Sequence, residues 1–192
     1  MTRLFVIVLM IAASAAWADI PGLYSVNPDA PRALRENPRA TSVISDRLPD
    51  ERDTVEVTEL SDNGDWARIL HGEGNAWMPL DALSALETTG GRFENPLYCA
   101  GTEPFWTLRT ENDALVFDEM GEPSANFEVQ TRATSGNTTA HELAVADSLS
   151  VIVRAAACSD GMTDRSYGLS VNLVLRGAQT QLLSGCCTLQ AQ

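Results

Sequence analysis

Residues 54–78, TVEVTELSDNGDWARILHGEGNAWM, decide the fold of the first half of the chain. Three runs rich in β-branched and aromatic residues, 54–60, 66–70 and 76–78, alternate with short polar stretches. The polar stretches at 62–65 and 72–75 contain Asn and Gly, which accept the positive φ angles of tight hairpin turns. This pattern predicts three antiparallel strands joined by hairpins, and a further run at 42–44 would complete a small barrel.

The second half of the chain has the same β rhythm, and no helical periodicity is sustained in it. The predicted strands are 105–110, 114–117, 126–132, 142–145, 149–155, 168–175 and 181–187. Turn-forming pairs such as Asn112-Asp113 and Arg176-Gly177 stand between them, and one long irregular stretch covers 157–166. Hairpins that close into a second antiparallel barrel or sandwich are therefore the expected architecture.

The apolar pattern breaks between the two halves. Residues 87–92 read ETTGGR, and Asn95-Pro96 adds another break of the kind that favours turns. We therefore expect an all-β chain with a barrel domain at 19–86, a linker at 87–96 and a second β domain at 97–192.

Residues 1–18 have the pattern of an export signal. A positively charged start precedes an apolar run over residues 4–16, and Ala16-Trp17-Ala18 has the small-x-small form of a cleavage site. Such a segment predicts a signal peptide removed near Ala18 and a periplasmic or secreted product. The apolar run is shorter than the ~20 residues that a span needs, so we expect no transmembrane span in the mature protein.

The charge of the chain restricts its chemistry and its partners. The formal net charge is −13, and every basic side chain is an arginine because the sequence contains no lysine. Schiff-base and lysine-base mechanisms are therefore excluded. An acidic surface repels phosphate backbones, so nucleic acid is not an expected partner. Nothing in the sequence indicates a cofactor.

Four cysteines, Cys99, Cys158, Cys186 and Cys187, lie in the second half. In an exported protein they are expected to form two disulfides. A bond between the adjacent pair would need a strained ring, so Cys99 and Cys158 should each take one member of it, and the sequence leaves open which takes which. A thiolate metal site is the alternative, but no CxxC or Cys/His cluster at ligand spacing is present, and we expect no metal.

Several short motifs in the first half follow the order of a known family. They are 33–38 ALRENP, 55–57 VEV, 64–69 GDWARI and 74–78 GNAWM. In this order they resemble the bacterial SH3-type domain, which implies an SH3-like barrel over about residues 22–84. Trp66 and Trp77 are candidate ligand-binding residues, and Trp77 lies where the grooves of such domains usually place an aromatic side chain. The alternative is that both tryptophans are part of the core. Ala76 stands where the family usually has Gly, and its methyl group is expected to narrow a groove beside Trp77.

Three motifs in the second half also occur together in a known family. They are 99–106 CAGTEPFW, 158–167 CSDGMTDRSY and 183–187 LSGCC. They resemble an uncharacterised family of bacterial periplasmic and lipoprotein domains. The resemblance implies an exported β domain, sometimes joined to an SH3-type module, and it implies no established activity.

The cysteine-led motifs hold the polar side chains that could form a ligand site, because disulfides would bring them together. The candidates are Glu103, Trp106, Asp160, Asp164, Arg165 and Tyr167. An arginine fork suits recognition of an anionic or sugar ligand. The alternative is that Arg165 satisfies Asp160 or Glu103 internally and so fixes a long loop.

These features predict an exported envelope binding protein whose SH3-type module docks on peptidoglycan or an envelope protein. We do not expect an enzyme, because a Ser-His-Asp triad would have to use His71 or His141 and neither lies near a nucleophile motif. The alternative function is a cell-wall hydrolase, or an inhibitor of one, that acts through the C-terminal domain. Glu103 with Asp160 would then be the carboxylate pair.

Overall fold

The computed structural model describes residues 20–86, 96–138 and 141–189, and in these ranges the chain folds into two antiparallel β-sheets without an α-helix. The predicted all-β class is confirmed. The predicted signal peptide at 1–18 and residues 87–95 of the predicted linker lie outside the described residues. Within the described ranges, no helix is long and apolar enough to cross a membrane.

The first sheet has seven strands in the order β3-β2-β6-β5-β4-β1-β7. The strands are β1 Gly22–Val26, β2 Ala33–Arg35, β3 Ile44–Arg47, β4 Thr54–Leu60, β5 Trp66–His71, β6 Gly74–Pro79 and β7 Leu83–Ala85. A single 3₁₀ turn, Leu80–Ala82, connects the last two. The predicted hairpins are present: Gly64 and Gly72 have φ angles of 75° and 57°, which a residue with a Cβ rarely adopts.

The second sheet has nine strands in the order β11-β10-β9-β8-β16-β15-β14-β13-β12. They are β8 Tyr98–Thr102, β9 Phe105–Glu111, β10 Ala114–Glu119, β11 Ala125–Glu128, β12 Thr131–Thr134, β13 His141–Val145, β14 Leu149–Cys158, β15 Tyr167–Arg176 and β16 Thr180–Thr188. The predicted strand 126–132 is therefore wrong, because the chain forms two strands there and breaks at 129–130.

That break shows how the second sheet curves. β11 and β12 are the two edges of the sheet, yet only residues 129–130 lie between them. A link this short spans about 10 Å, so the sheet must curl until its edges approach each other. The backbone N–H of Val129 donates to Asp113 on one side of the gap, and that of Gln130 donates to Val145 on the other. The second half is therefore a curled sheet rather than a flat layer.

Each sheet encloses a hydrophobic core of its own. Alternate residues of the strands point inward, as in β14, where Leu149, Val151 and Val153 are buried. The first core includes Leu34, Val55, Val57, Ile69 and Met78, and the second includes Leu108, Leu115, Val151, Leu169 and Leu173.

Strand β4 lies at the contact between the two halves, and both of its faces are buried. Val55 and Val57 point into the first core, while Glu56 and Thr58 on the opposite face are also buried. That opposite face meets Gly168 of β15, where an added Cβ would lie 2.5 Å from the Pro21 Cβ and 3.1 Å from the Thr58 Cα. The second half thus covers a face of the first that strand alternation alone would leave to solvent.

Candidate functional site

Two disulfides fasten β16 to its neighbours. Cys99 on β8 bonds to Cys187, and Cys158 at the end of β14 bonds to Cys186. Adjacent residues of a strand point to opposite faces. Cys187 therefore lies in the second core, while Cys186 lines a cavity on the other face. The two predicted bridges are confirmed, and the structure settles the pairing that the sequence left open.

A cavity of about 470 Å³ lies against the face of the second sheet that points away from its core. Its floor is formed by β8 and β16, and one wall is the loop 159–166 between β14 and β15. The volume is in the range of small-molecule sites. The lining residues are Tyr98, Ala100, Thr102, Arg109, Asp160, Arg165, Tyr167, Cys186 and Thr188. The cavity thus brings together Asp160, Arg165 and Tyr167 from the predicted set.

Asp160 organises the loop wall of the cavity. Its Oδ1 accepts the backbone N–H groups of Met162 and Thr163 at 3.0 and 2.9 Å, and its Oδ2 accepts the hydroxyls of Thr163 and Tyr167 at 2.9 and 3.2 Å. Burial acts to raise the pKa of Asp160, but these hydrogen bonds outweigh it and lower the pKa. Asp160 is therefore an ionised group whose oxygens accept hydrogen bonds from its own loop and from Tyr167 on β15.

The loop wall is also tied to the first sheet. Arg165 donates from Nε, at 3.0 Å, and from Nη2 to the backbone oxygen of Gly72 in the β5–β6 turn. The backbone N–H of Ser166 donates to Asn75 Oδ1 at 2.6 Å, and Asn75 Nδ2 donates back to the Ser166 oxygen at 3.1 Å. Arg165 therefore has a different partner from the Asp160 or Glu103 that the sequence suggested, although it does fix the loop.

Two further side chains in the cavity, Tyr98 and Arg109, were not singled out from the sequence. They lie opposite each other in the register of β8 and β9. Arg109 donates from Nε to Glu111 at 2.7 Å and from Nη1 to Asp118. Only the strand register reveals this pair, because Tyr98 and Arg109 belong to no common motif.

Three residues of the predicted set lie elsewhere. Glu103 and Asp164 are exposed and do not line the cavity. Trp106 is only 3% exposed, belongs to the second core and stacks on Phe117 with ring centroids 6.1 Å apart. The structure thus makes Trp106 a packing residue, because β9 turns its side chain inward.

Trp66 and Trp77 share the outer face of the first sheet. Trp66 pairs with Pro79 and Arg68 pairs with Trp77 across β5 and β6, and the residues between them point into the core. The Arg68 guanidinium carbon lies 5.9 Å from the centroid of the Trp77 ring, which is the geometry of a cation–π contact. This face, defined here as the tryptophan face, consists of Trp66, Arg68, Trp77 and Pro79.

The expectation that the Ala76 methyl group narrows a groove beside Trp77 is wrong. Ala76 is buried in the first core, so its methyl group points away from Trp77 and does not narrow a groove on the outside. A shallow concavity of about 500 Å³ beside Trp66 is also lined by Asp65, Pro79 and Asp81. The outer surface is therefore open on the side of Trp66.

Glu56 is the buried ionisable group at the junction of the two halves. Its side chain is on β4 and the residue is 1% exposed. Oε2 accepts the hydroxyl of Thr188 and the backbone N–H of Leu189, and Oε1 has no hydrogen-bond partner in the described part of the chain. Burial raises the pKa of Glu56 to about 7, against the opposing effect of those two hydrogen bonds. Because Thr188 lines the cavity, Glu56 lies directly behind the cavity floor.

Both histidines, His71 and His141, lie away from the cavity. His71 Nε2 is 2.7 Å from Asp46 Oδ2, and this hydrogen bond is the largest cause that lowers the pKa of Asp46. His141 is exposed at the start of β13. Neither histidine lines the cavity or the concavity beside Trp66.

The chain has no match among known proteins: no protein-family model, no curated protein and no solved structure matches it.

Proposed function

We propose that this protein is an exported binding protein of the cell envelope and that its first half docks on peptidoglycan or an envelope protein. The observation that carries the proposal is the tryptophan face. Two tryptophans that could have been buried instead lie partly exposed on one outer surface, beside an arginine. Flat aromatic side chains next to a cation are frequent anchors of binding surfaces.

Export is supported by the covalent structure of the second half. Both disulfides join strands of one sheet, and all four cysteines take part in them. Such bonds persist in oxidising compartments and are rare in the cytosol. Together with the signal-like pattern at residues 1–18, they favour a protein that acts in the periplasm or outside the cell.

The charge of the protein sets the expected strength of docking. The net charge is −13, and cell-wall peptides also carry carboxylates, so long-range repulsion opposes approach. On the tryptophan face itself Arg68 is paired with Glu59 at 3.1 Å, which reduces the local positive charge. We therefore expect weak binding that strengthens as salt screens the repulsion.

Sedimentation of the mature protein with purified sacculi over a salt series tests this proposal. Trp77→Ala and Trp66→Ala should each weaken pelleting about tenfold, because anchoring aromatics carry more than about 1 kcal/mol each. Phe105→Ala is the matched control, since Phe105 is an exposed aromatic of the second sheet. Equal pelleting of all four proteins would remove the tryptophan face from the site. Absence of pelleting at every salt concentration would contradict docking on peptidoglycan.

A further inference from the structure

We propose that the cavity bounded by β8, β16 and the loop 159–166 is a binding site for a small organic molecule that carries one carboxylate. The site lies in the other half of the molecule from the tryptophan face and shares no residue with it. The proposal is therefore independent of docking to the envelope.

The position of the Arg165 side chain in the cavity wall indicates a ligand with an anionic end. The hydrogen bonds that the Arg165 guanidinium makes to the described residues go to one neutral backbone oxygen, that of Gly72. Arg109, by contrast, is within 2.7 Å of Glu111 and also contacts Asp118, so its charge is offset. Arg165 thus presents one positive charge that no carboxylate of the described residues offsets at ion-pair distance. A single carboxylate matches it, whereas a phosphate dianion beside Asp160 would carry excess negative charge.

The hydrogen-bonding groups of the cavity lead to the same ligand class. Asp160, the one carboxylate in the lining, accepts four hydrogen bonds from its own loop and from Tyr167. The Tyr98 hydroxyl and Arg165 Nη1 are donors without a partner among the described residues. A cavity with donors to spare and its carboxylate occupied suits an acceptor such as a carboxylate better than a neutral sugar, which needs acceptors as well.

The remaining lining sets the shape of the ligand. The rings of Tyr98 and Tyr167, the methyl group of Ala100 and the Cys158–Cys186 disulfide supply apolar surface around the charged end. Flat apolar groups pack well against tyrosine rings. The expected ligand is therefore a carboxylic acid with a compact ring or chain that fits within about 470 Å³.

Ligand-observed NMR titration of the mature protein with benzoate tests the proposal. We expect a dissociation constant on the order of 1 mM, the range that ligand efficiency allows for a molecule of this size. Benzamide has the same shape without the charge and should bind about tenfold more weakly, and inorganic phosphate should also bind more weakly than benzoate.

Two variants locate the site. Arg165→Gln should weaken benzoate binding about tenfold, and Arg154→Gln, an exposed arginine of β14, should leave it unchanged. Ala100→Leu fills the cavity floor without touching Arg165 and should abolish binding even if Arg165→Gln disturbs the loop. Equal affinities for benzoate and benzamide, tighter binding of phosphate, or unchanged binding to folded Ala100→Leu would overturn the proposal. The proposal would also be overturned if no binding were seen at a benzoate concentration about tenfold above the expected dissociation constant.

Discussion

The two halves of the molecule stabilise their sheets in different ways. The first sheet has a packed core and no disulfide, and it depends on the second half to cover Glu56 and Thr58 on the outer face of β4. The second sheet has a core and also two disulfides, one on each face of β16. One of the two covalent links, Cys158–Cys186, therefore lies at the cavity, since Cys186 is part of its lining, and the other lies in the core.

The two candidate sites, the tryptophan face and the cavity, also differ in shape. The tryptophan face is an open surface on β5 and β6, suited to an extended partner. The cavity is concave, and its loop wall is held by Asp160 and by contacts to the β5–β6 turn. The two candidate sites are therefore separate places in the molecule. The following experiments test whether the two halves are as different as their covalent structures indicate.

Removal of the disulfides should have the largest effect. We expect loss of either bridge to lower the free energy of unfolding by about 2–5 kcal/mol. Cys99–Cys187 closes a sequence separation of 88 and Cys158–Cys186 one of 28, so the double change Cys99→Ala/Cys187→Ala should cost about 1 kcal/mol more than Cys158→Ala/Cys186→Ala. Urea unfolding of the three proteins measures this difference. A larger loss from the shorter loop would show that strain or cavity packing, and not chain entropy, governs these bridges.

Much of the fold could be predicted from sequence because strand alternation and turn residues are local signals. The strand 54–60 was predicted at its exact bounds, and the adjacent cysteines correctly indicated two bridges. The strand 126–132 was misjudged because its break at 129–130 depends on the sheet curling until β11 and β12 approach each other. No local pattern encodes that curvature.

The cavity was predictable only in part, because local sequence patterns do not show which distant strands meet. Asp160, Arg165 and Tyr167 could be found because they are close in sequence, but Tyr98 and Arg109 meet through strand register alone. Glu56 alternates with Val55 and Val57 as an outward residue should, and only the packing of the second half buries it. Trp106 was indistinguishable from an exposed aromatic until the direction of β9 was known.

Protonation of Glu56 should have the next largest effect. Its pKa is raised from 4.5 to about 7 in the folded protein, so the folded state holds more protons than the unfolded state between these values. The free energy of unfolding should therefore be highest at low pH within this interval and fall by roughly 3 kcal/mol as the pH rises through 7. Glu56→Gln keeps an acceptor for Thr188 and Leu189 without the charge, and should remove this part of the pH dependence.

Chemical denaturation at several pH values between about 4.5 and 8 measures the slope, since that range covers both pKa values. Glu59→Gln is the matched control, because Glu59 lies on the same strand with its side chain exposed and should leave the slope in place. An identical slope in wild type and Glu56→Gln would mean that the buried carboxyl of Glu56 is not the source of the pH dependence.

The smallest effect is expected at Asn75, whose side chain links the β5–β6 turn of the first half to the loop wall of the second. Asn75→Ala removes both hydrogen bonds to Ser166, at a cost of about 1 kcal/mol because the contact is only partly buried. The loop is then held by Asp160 and by the Arg165 contact to Gly72, so the backbone N–H of Ser166 should exchange with solvent faster while the exchange of β14 and β15 stays the same. Asn63→Ala in the other hairpin is the control, since the side-chain hydrogen bonds of Asn63 to the described residues stay within its own turn. Unchanged exchange at Ser166 would show that Asp160 and the Arg165 contact to Gly72 fix the loop without Asn75.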